Sequence, residues 1–94
     1  MRYVWDEAKR NANLVKHGVD FGILRNFDWS TAVVTIDDRE DYGELREIAF
    51  GYIDVRLHAL AFTMRGEDVV RAIMLRKATQ RETKEHEKAQ RRRL

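Results

Sequence analysis

Between Leu45 and Leu75 the chain carries three apolar runs joined by connections of only two and four residues. Links that short cannot hold a parallel crossover, which needs a dozen or more residues, so these runs must pair as an antiparallel meander. Leu45 to Ile53 alternates, with Arg46, Ile48, Phe50 and Tyr52 on one face. Asp54-Val55 turns the chain into Arg56 to Met64, and Arg65-Gly66-Glu67-Asp68 turns it again into Val69 to Leu75. Gly66 supplies a residue that accepts positive φ in that second turn. Upstream, Thr31 to Ile36 (TAVVTI) is short and β-branched and reads as a strand, followed by the polar connection Asp37 to Glu44. The sequence therefore predicts a four-stranded, mainly antiparallel sheet.

The flanking segments change period. Trp5, Ala8, Ala12 and Val15 recur at helical spacing and predict a core-facing stripe. Asp6 is placed as the N-cap, and Gly18 stops the helix just after Lys16 and His17. A second short helix is expected from Asp20, turning Phe21, Leu24 and Phe27 inward. Thr79 and Glu82 have capping-box spacing, so a last helix begins there and runs to Arg93 with Ala89 as nearly its only apolar residue. The fold class is thus α+β: N-terminal helices, the four-stranded sheet and a C-terminal helix. At 94 residues it forms one domain over positions 1–94, with a basic helical end from about 79.

Charge is distributed unevenly. Residues 1–70 hold nine Lys/Arg against thirteen Asp/Glu, a balance of −4, whereas residues 71–94 hold nine against three, a balance of +6. A basic end of this kind fits phosphate, nucleic acid or an acidic partner; the alternative is a solvated, salt-bridged helix. Without Cys there is no disulfide framework, thiolate metal site or cysteine nucleophile. His17, His58 and His86 fall in three different elements without a ligand spacing, so neither a metal nor any other cofactor is expected. Gly-rich phosphate loops and serine-hydrolase elbows are missing too. The apolar region Ile48 to Phe62 is broken by Asp54, Arg56 and His58, and the first residues lack a signal-peptide core. We expect no membrane association and a cytoplasmic location.

What remains is arginine chemistry. Arg46, Arg65, Arg76 and Lys77 fall within or at the ends of successive strands, where a meander can gather them around an anion. They can equally be separate surface cations paired with carboxylates. Trp29 and Tyr42, in expected loops, are the aromatics most open to base stacking; the others read as core.

The succession of motifs is more specific than any one of them. Trp5-Asp6, Lys9, Asn13, Lys16-His17-Gly18-Val19 and Phe21 are followed by Arg46-x-Ile48-Ala49-x-Gly51, Thr63-x-Arg65-Gly66, and Arg76-Lys77-Ala78-Thr79 with Glu82 three residues on. Over roughly residues 3 to 87 this order resembles the BrnT family of bacterial type II toxins, which have a RelE/ParE-like fold. The resemblance implies a metal-independent endoribonuclease whose RNA substrate is protected by a BrnA-like antitoxin with a ribbon-helix-helix domain. DNA would be touched only through that antitoxin.

In such a reaction the RNA 2′-hydroxyl attacks the neighbouring phosphorus, and fixed cations stabilise the charge that builds on the phosphoryl oxygens. Arg65 and Arg76 are the expected clamp, assisted by Lys77. Arg46 either orients the scissile phosphate or forms a structural ion pair. The general base is Glu82, if its capping bond is weak, or a neutral His17, which also suits a purely structural role at a helix end. Lys16, Lys77 and Arg81 are the expected RNA-binding cations. Members of the family often carry Ser where this chain has Met74, and Tyr where it has His86; Met74 cannot donate a strong hydrogen bond to phosphate, and His86 either replaces an aromatic contact, supplies an acid, or is simply an exposed helical residue. The alternative function is a non-catalytic, partner-binding subunit of a DNA-binding repressor complex.

Overall fold

A computed structural model describes residues 1–92, so Arg93 of the basic run lies outside the described residues. In chain order the elements are β1 (Arg2–Val4), α1 (Glu7–His17), a 3₁₀ segment (Phe21–Asn26), β2 (Phe27–Ile36), β3 (Glu47–Ile53), β4 (Arg56–Met64), β5 (Val69–Lys77) and α2 (Gln80–Arg92). The sheet has five strands in the order β1-β5-β4-β3-β2. The expectation of four strands is corrected by β1, which pairs parallel with the start of β5, Tyr3 opposite Val70. Three residues are too few to show alternation, and a parallel partner at the far end of the chain leaves no local turn signal. The remaining pairings are the antiparallel meander that the short connections require.

One sheet face carries the core. Phe21, Leu24 and Phe27 from the 3₁₀ segment and its end pack on Ala49, Ile53, Leu60, Phe62, Val70, Ala72 and Leu75. Gly51 is part of this fit: a Cβ there would lie 2.6 Å from the Phe27 ring, so only glycine lets that ring settle on β3. Trp29 is a core residue and not a stacking platform. It packs edge-on to Phe27 and Phe62 and donates from Nε1 to the Tyr3 hydroxyl at 2.7 Å.

The helices depart from the expected faces. In α1 the caps are as read, with Asp6 accepting from Ala8 N and Gly18 left-handed at φ 70°. The stripe is not: Val15 is 88% exposed, and Asn13 is the buried residue of the helix. Because β1 pairs with β5 only through Arg71, the outer edge of β5 is open beyond it. The Asn13 amide takes the place of a neighbouring strand there. Its Nδ2 donates to Leu75 O at 2.8 Å, and its Oδ1 accepts from Leu75 N at 3.1 Å. A polar side chain thus anchors α1, because what it covers is backbone.

On the opposite sheet face, α2 lies over β2 and β3. His86 is buried there, edge-on to Tyr52 at 5.6 Å, which corrects its reading as an exposed helical residue. Gln90 Nε2 donates to Thr31 O at 2.8 Å. No helix among the described residues is long and apolar enough to cross a membrane.

Candidate functional site

The second sheet face holds a hollow of about 220 Å³ floored by Ala61, Ile73 and Met74 and walled by Lys16, His17, Asp37, Arg39, Arg46 and Arg76. Three segments, α1, β5 and the β2–β3 connection, bring the wall residues together. Lys16 and His17 arrive in the last turn of α1, fixed by Asn13 one turn earlier. Arg76 stands near the end of β5, Arg46 lies just before β3, and Asp37 and Arg39 belong to the β2–β3 connection.

Each cation is positioned by a different device. Arg76 donates through both terminal nitrogens to Glu82, Nη1 to Oε1 at 2.8 Å and Nη2 to Oε2 at 2.9 Å. Glu82 is held in turn by the helix start: Thr79 N donates to its Oε1 at 2.8 Å, and Glu82 N donates to Thr79 Oγ1 at 3.1 Å. The capping box is therefore complete. The Arg76 guanidinium, with the Thr79 amide, holds the Glu82 carboxyl down to about 2. A carboxylate that acidic accepts a proton poorly, and the weak capping bond on which a base role for Glu82 depended is not found: its carboxylate is taken up by Thr79 N and the Arg76 fork.

Asp37, with a side chain only 2% exposed, accepts from Arg39 Nε at 2.7 Å and Nη2 at 2.9 Å. The Tyr42 hydroxyl adds a long bond to the same carboxylate at 3.4 Å. Arg39 holds Asp37 down to about 2, so the pair is ionised through the working pH range. Arg46 lies under the Tyr42 ring, 3.9 Å from its centroid, and only loosely meets Glu44 at 3.8 Å. Its Nε is buried with no hydrogen-bond partner among the described residues. A buried, unused donor costs about 1–3 kcal/mol, which a bound anion would recover.

His17 lies among cations. Burial, then Lys16 and Arg76, lower its pKa below the ordinary 6.5, which leaves the imidazole neutral at pH 7. A neutral ring has a lone pair to accept a proton.

The expected clamp of Arg65 with Arg76 does not form. Arg76 pairs across the hairpin with Ala59, whereas Arg65 follows Met64 in the turn at the other end of β4. Those positions are six residue steps apart along the strand, about 20 Å. Lys77 alternates to the opposite sheet face from Arg76 and sits opposite His58. Arg81 borders a separate apolar groove beneath α2, about 220 Å³, with Val33, Phe50 and Ala89. The structure therefore gathers Arg46, Arg76, His17 and Lys16, and leaves Arg65, Lys77 and Arg81 elsewhere. Sequence reading missed Asp37, Arg39 and the support that Tyr42 gives Arg46. The one available signal was the D-x-R spacing in a segment read only as a polar connection.

Among the described residues, no group of three or more His, Asp or Glu is arranged to hold a metal ion. The hollow itself presents four cationic side chains against the one carboxylate of Asp37.

A family model described as the ribonuclease toxin BrnT of a type II toxin–antitoxin system matches residues 5–82. All residues of the hollow fall within that span. Among solved structures, the chain is similar to the Brucella abortus ribonuclease toxin BrnT, known from a 1.1 Å crystal structure. The identity is 30% and the TM-score 0.68, over 85% of this chain and 99% of that one. No curated protein matches the chain.

Proposed function

The chain belongs to the BrnT ribonuclease toxin family of type II toxin–antitoxin systems, and on that premise we propose that it cleaves RNA without a metal, in the hollow bounded by His17, Arg39, Arg46 and Arg76. The observation that carries this reading is the convergence of three guanidinium groups and a neutral imidazole from three separate segments, α1, β5 and the β2–β3 connection. Four cations repel a divalent ion and attract a phosphate.

In the proposed reaction His17 takes the proton of the RNA 2′-hydroxyl as that oxygen attacks the adjacent phosphorus. Arg76 and Arg46 donate to the non-bridging oxygens, where charge increases toward the transition state. Arg39 contributes charge from the fixed Asp37 fork. The bond to the 5′-oxygen breaks, and that oxygen takes a proton from solvent. The products are a 2′,3′-cyclic phosphate and a 5′-hydroxyl. Met74 on the floor has no hydroxyl to offer, so phosphate binding falls to the arginines.

The reading extends to a RelE-like fold, a cytoplasmic location and a ribbon-helix-helix, BrnA-like antitoxin that covers the hollow and competes with RNA for it. Incubation of purified protein with RNA in excess chelator tests the chemistry. Cleavage should persist and leave cyclic-phosphate ends; 3′-hydroxyl ends, or activity restored only by a divalent ion, would overturn it.

A further inference from the structure

The hollow is not closed on the α1 side. A furrow of about 270 Å³ runs between α1 and β5, lined by Lys9, Ala12, Asn13, Lys16, His17, Ile73 and Met74. Four of these residues, Lys16, His17, Ile73 and Met74, also line the hollow, so the two spaces meet along a shared wall. We propose that this furrow is the track for the single-stranded RNA flanking the scissile phosphate, with Lys9 and Lys16 on its backbone and Ile73 and Met74 beneath its bases. The inference rests on the ribonuclease reading and adds where the rest of the substrate lies.

Three features built into the chain support it. First, the β4–β5 register passes from Ala61 opposite Met74 to Phe62 opposite Ala72, which makes Ile73 an extra residue in β5. A bulge of this kind re-aims side chains, and here consecutive residues of one strand both line the furrow. An apolar floor with a polarisable thioether suits the face of a base, whatever its identity. Met74 therefore has a use here that the hydroxyl-donor pattern does not supply.

Second, Lys9 and Lys16 stand seven residues apart, two turns of α1, about 10 Å along its axis, and both face the furrow. Among the described residues no carboxylate lines it. The basic helix α2 differs: Glu82, Glu85 and Glu87 interleave with its cations, and its inner side borders an apolar groove. A phosphate chain led along α2 meets acids, whereas one led along the furrow passes Lys9 and Lys16 with no acid among its lining residues.

Third, the α1 wall of the furrow is anchored to the sheet. Asn13 at its base is committed to Leu75 N, Leu75 O and Val19 O, so the wall that carries Lys9 and Lys16 is tied directly to the strand that carries Met74. A track formed in advance loses little entropy when RNA binds.

A 2′-O-methylated single-stranded RNA, which cannot be cleaved, tests the track by fluorescence anisotropy across a salt series. Lys9→Glu should weaken binding about tenfold at low salt and flatten the salt slope by about 0.7 for each phosphate no longer neutralised. Lys84→Glu, the same charge change on α2, should stay within about twofold, and Lys9→Arg should restore binding. Lys9 is exposed, and a thermal melt checks that each variant stays folded. Wild-type affinity in Lys9→Glu, or an equal loss in Lys84→Glu, would overturn the track and leave the ribonuclease reading standing. A wild-type protein that neither binds nor cleaves RNA would remove the ribonuclease reading and the track with it.

Discussion

The two ends of the β4–β5 hairpin each carry an arginine, and only one of them is organised. At the Arg76 end the guanidinium is held in a two-point bond to Glu82 while Glu82 caps α2, and α1 and the β2–β3 connection close in around it. At the Arg65 end the chain makes an exposed turn through Gly66 at φ 87°, and among the described residues Arg65 forms no ion pair. Sequence places both arginines next to strand ends, but strand register decides which end other elements reach. An arginine acquires a directed charge from the carboxylate that holds its fork, as Glu82 holds that of Arg76.

The largest effects should separate these ends. Arg76→Ala is expected to lower the cleavage rate about 10²–10³-fold, the usual cost of removing one donor to a developing oxyanion. Arg65→Ala should remain within about twofold. A single-turnover assay on one RNA, with melting temperatures for both variants, reads the contrast directly. Equal losses in two folded proteins would show that the turn end also meets substrate.

The pH dependence belongs to the Arg76 end as well. Because burial and the neighbouring cations lower the His17 pKa below 6.5, activity should be flat near neutrality and fall only as the pH drops through that lowered value and the ring takes a proton. His17→Asn should remove this acid limb and cost about 10²-fold, the lower range for general base catalysis. A limb that persists in His17→Asn would assign the proton transfer to another group.

The sequence is legible wherever backbone chemistry is local. The caps Asp6 and Gly18, the Thr79–Glu82 box and the bounds of β4 follow from dihedral preference and orphan amides within a few residues. What stays hidden depends on distant partners. Asn13 reads as a neutral helical residue until β5 presents an open edge beside it. The bulge at Ile73 has no glycine to mark it, and β1 exists only because β5 accepts it. In the site, Arg76, Arg46, Lys16 and His17 are legible from spacing and resemblance. Asp37 and Arg39 are not, because a D-x-R in a charged connection looks like solvated surface until its aspartate is buried.

That buried aspartate gives the next test. Asp37→Asn keeps the shape but removes the charge that fixes Arg39, so the fork becomes free to wander. Misplacement of about 1 Å can cost up to 10²-fold; with Arg46 and Arg76 still in place, we expect a rate loss of about tenfold. The KM for a short RNA should change less than kcat, because a freed Arg39 still attracts phosphate but no longer meets it in one geometry. A stable Asp37→Asn protein with unchanged kcat would show that Arg39 contributes net charge alone.

The smallest effect concerns Tyr42, which belongs to the same supported end and makes two different contacts. Its hydroxyl reaches Asp37 at 3.4 Å, a length at which a hydrogen bond contributes little, whereas its ring lies 3.9 Å from the Arg46 guanidinium carbon. A cation over an aromatic face at a partly exposed site is stabilised by about 0.5–1 kcal/mol. Tyr42→Phe keeps the ring and should cleave RNA almost as the wild type does. Tyr42→Leu removes the π face at similar bulk and frees Arg46 to turn, so the rate should fall about two- to fivefold, the range those energies convert to. If Tyr42→Phe loses as much as Tyr42→Leu, the hydroxyl bond to Asp37 supports the site, and the two arginines of this connection are coupled through it. If neither changes the rate, Arg46 is held by its buried stem alone, and the contrast between the hairpin ends narrows to Arg76 and Glu82.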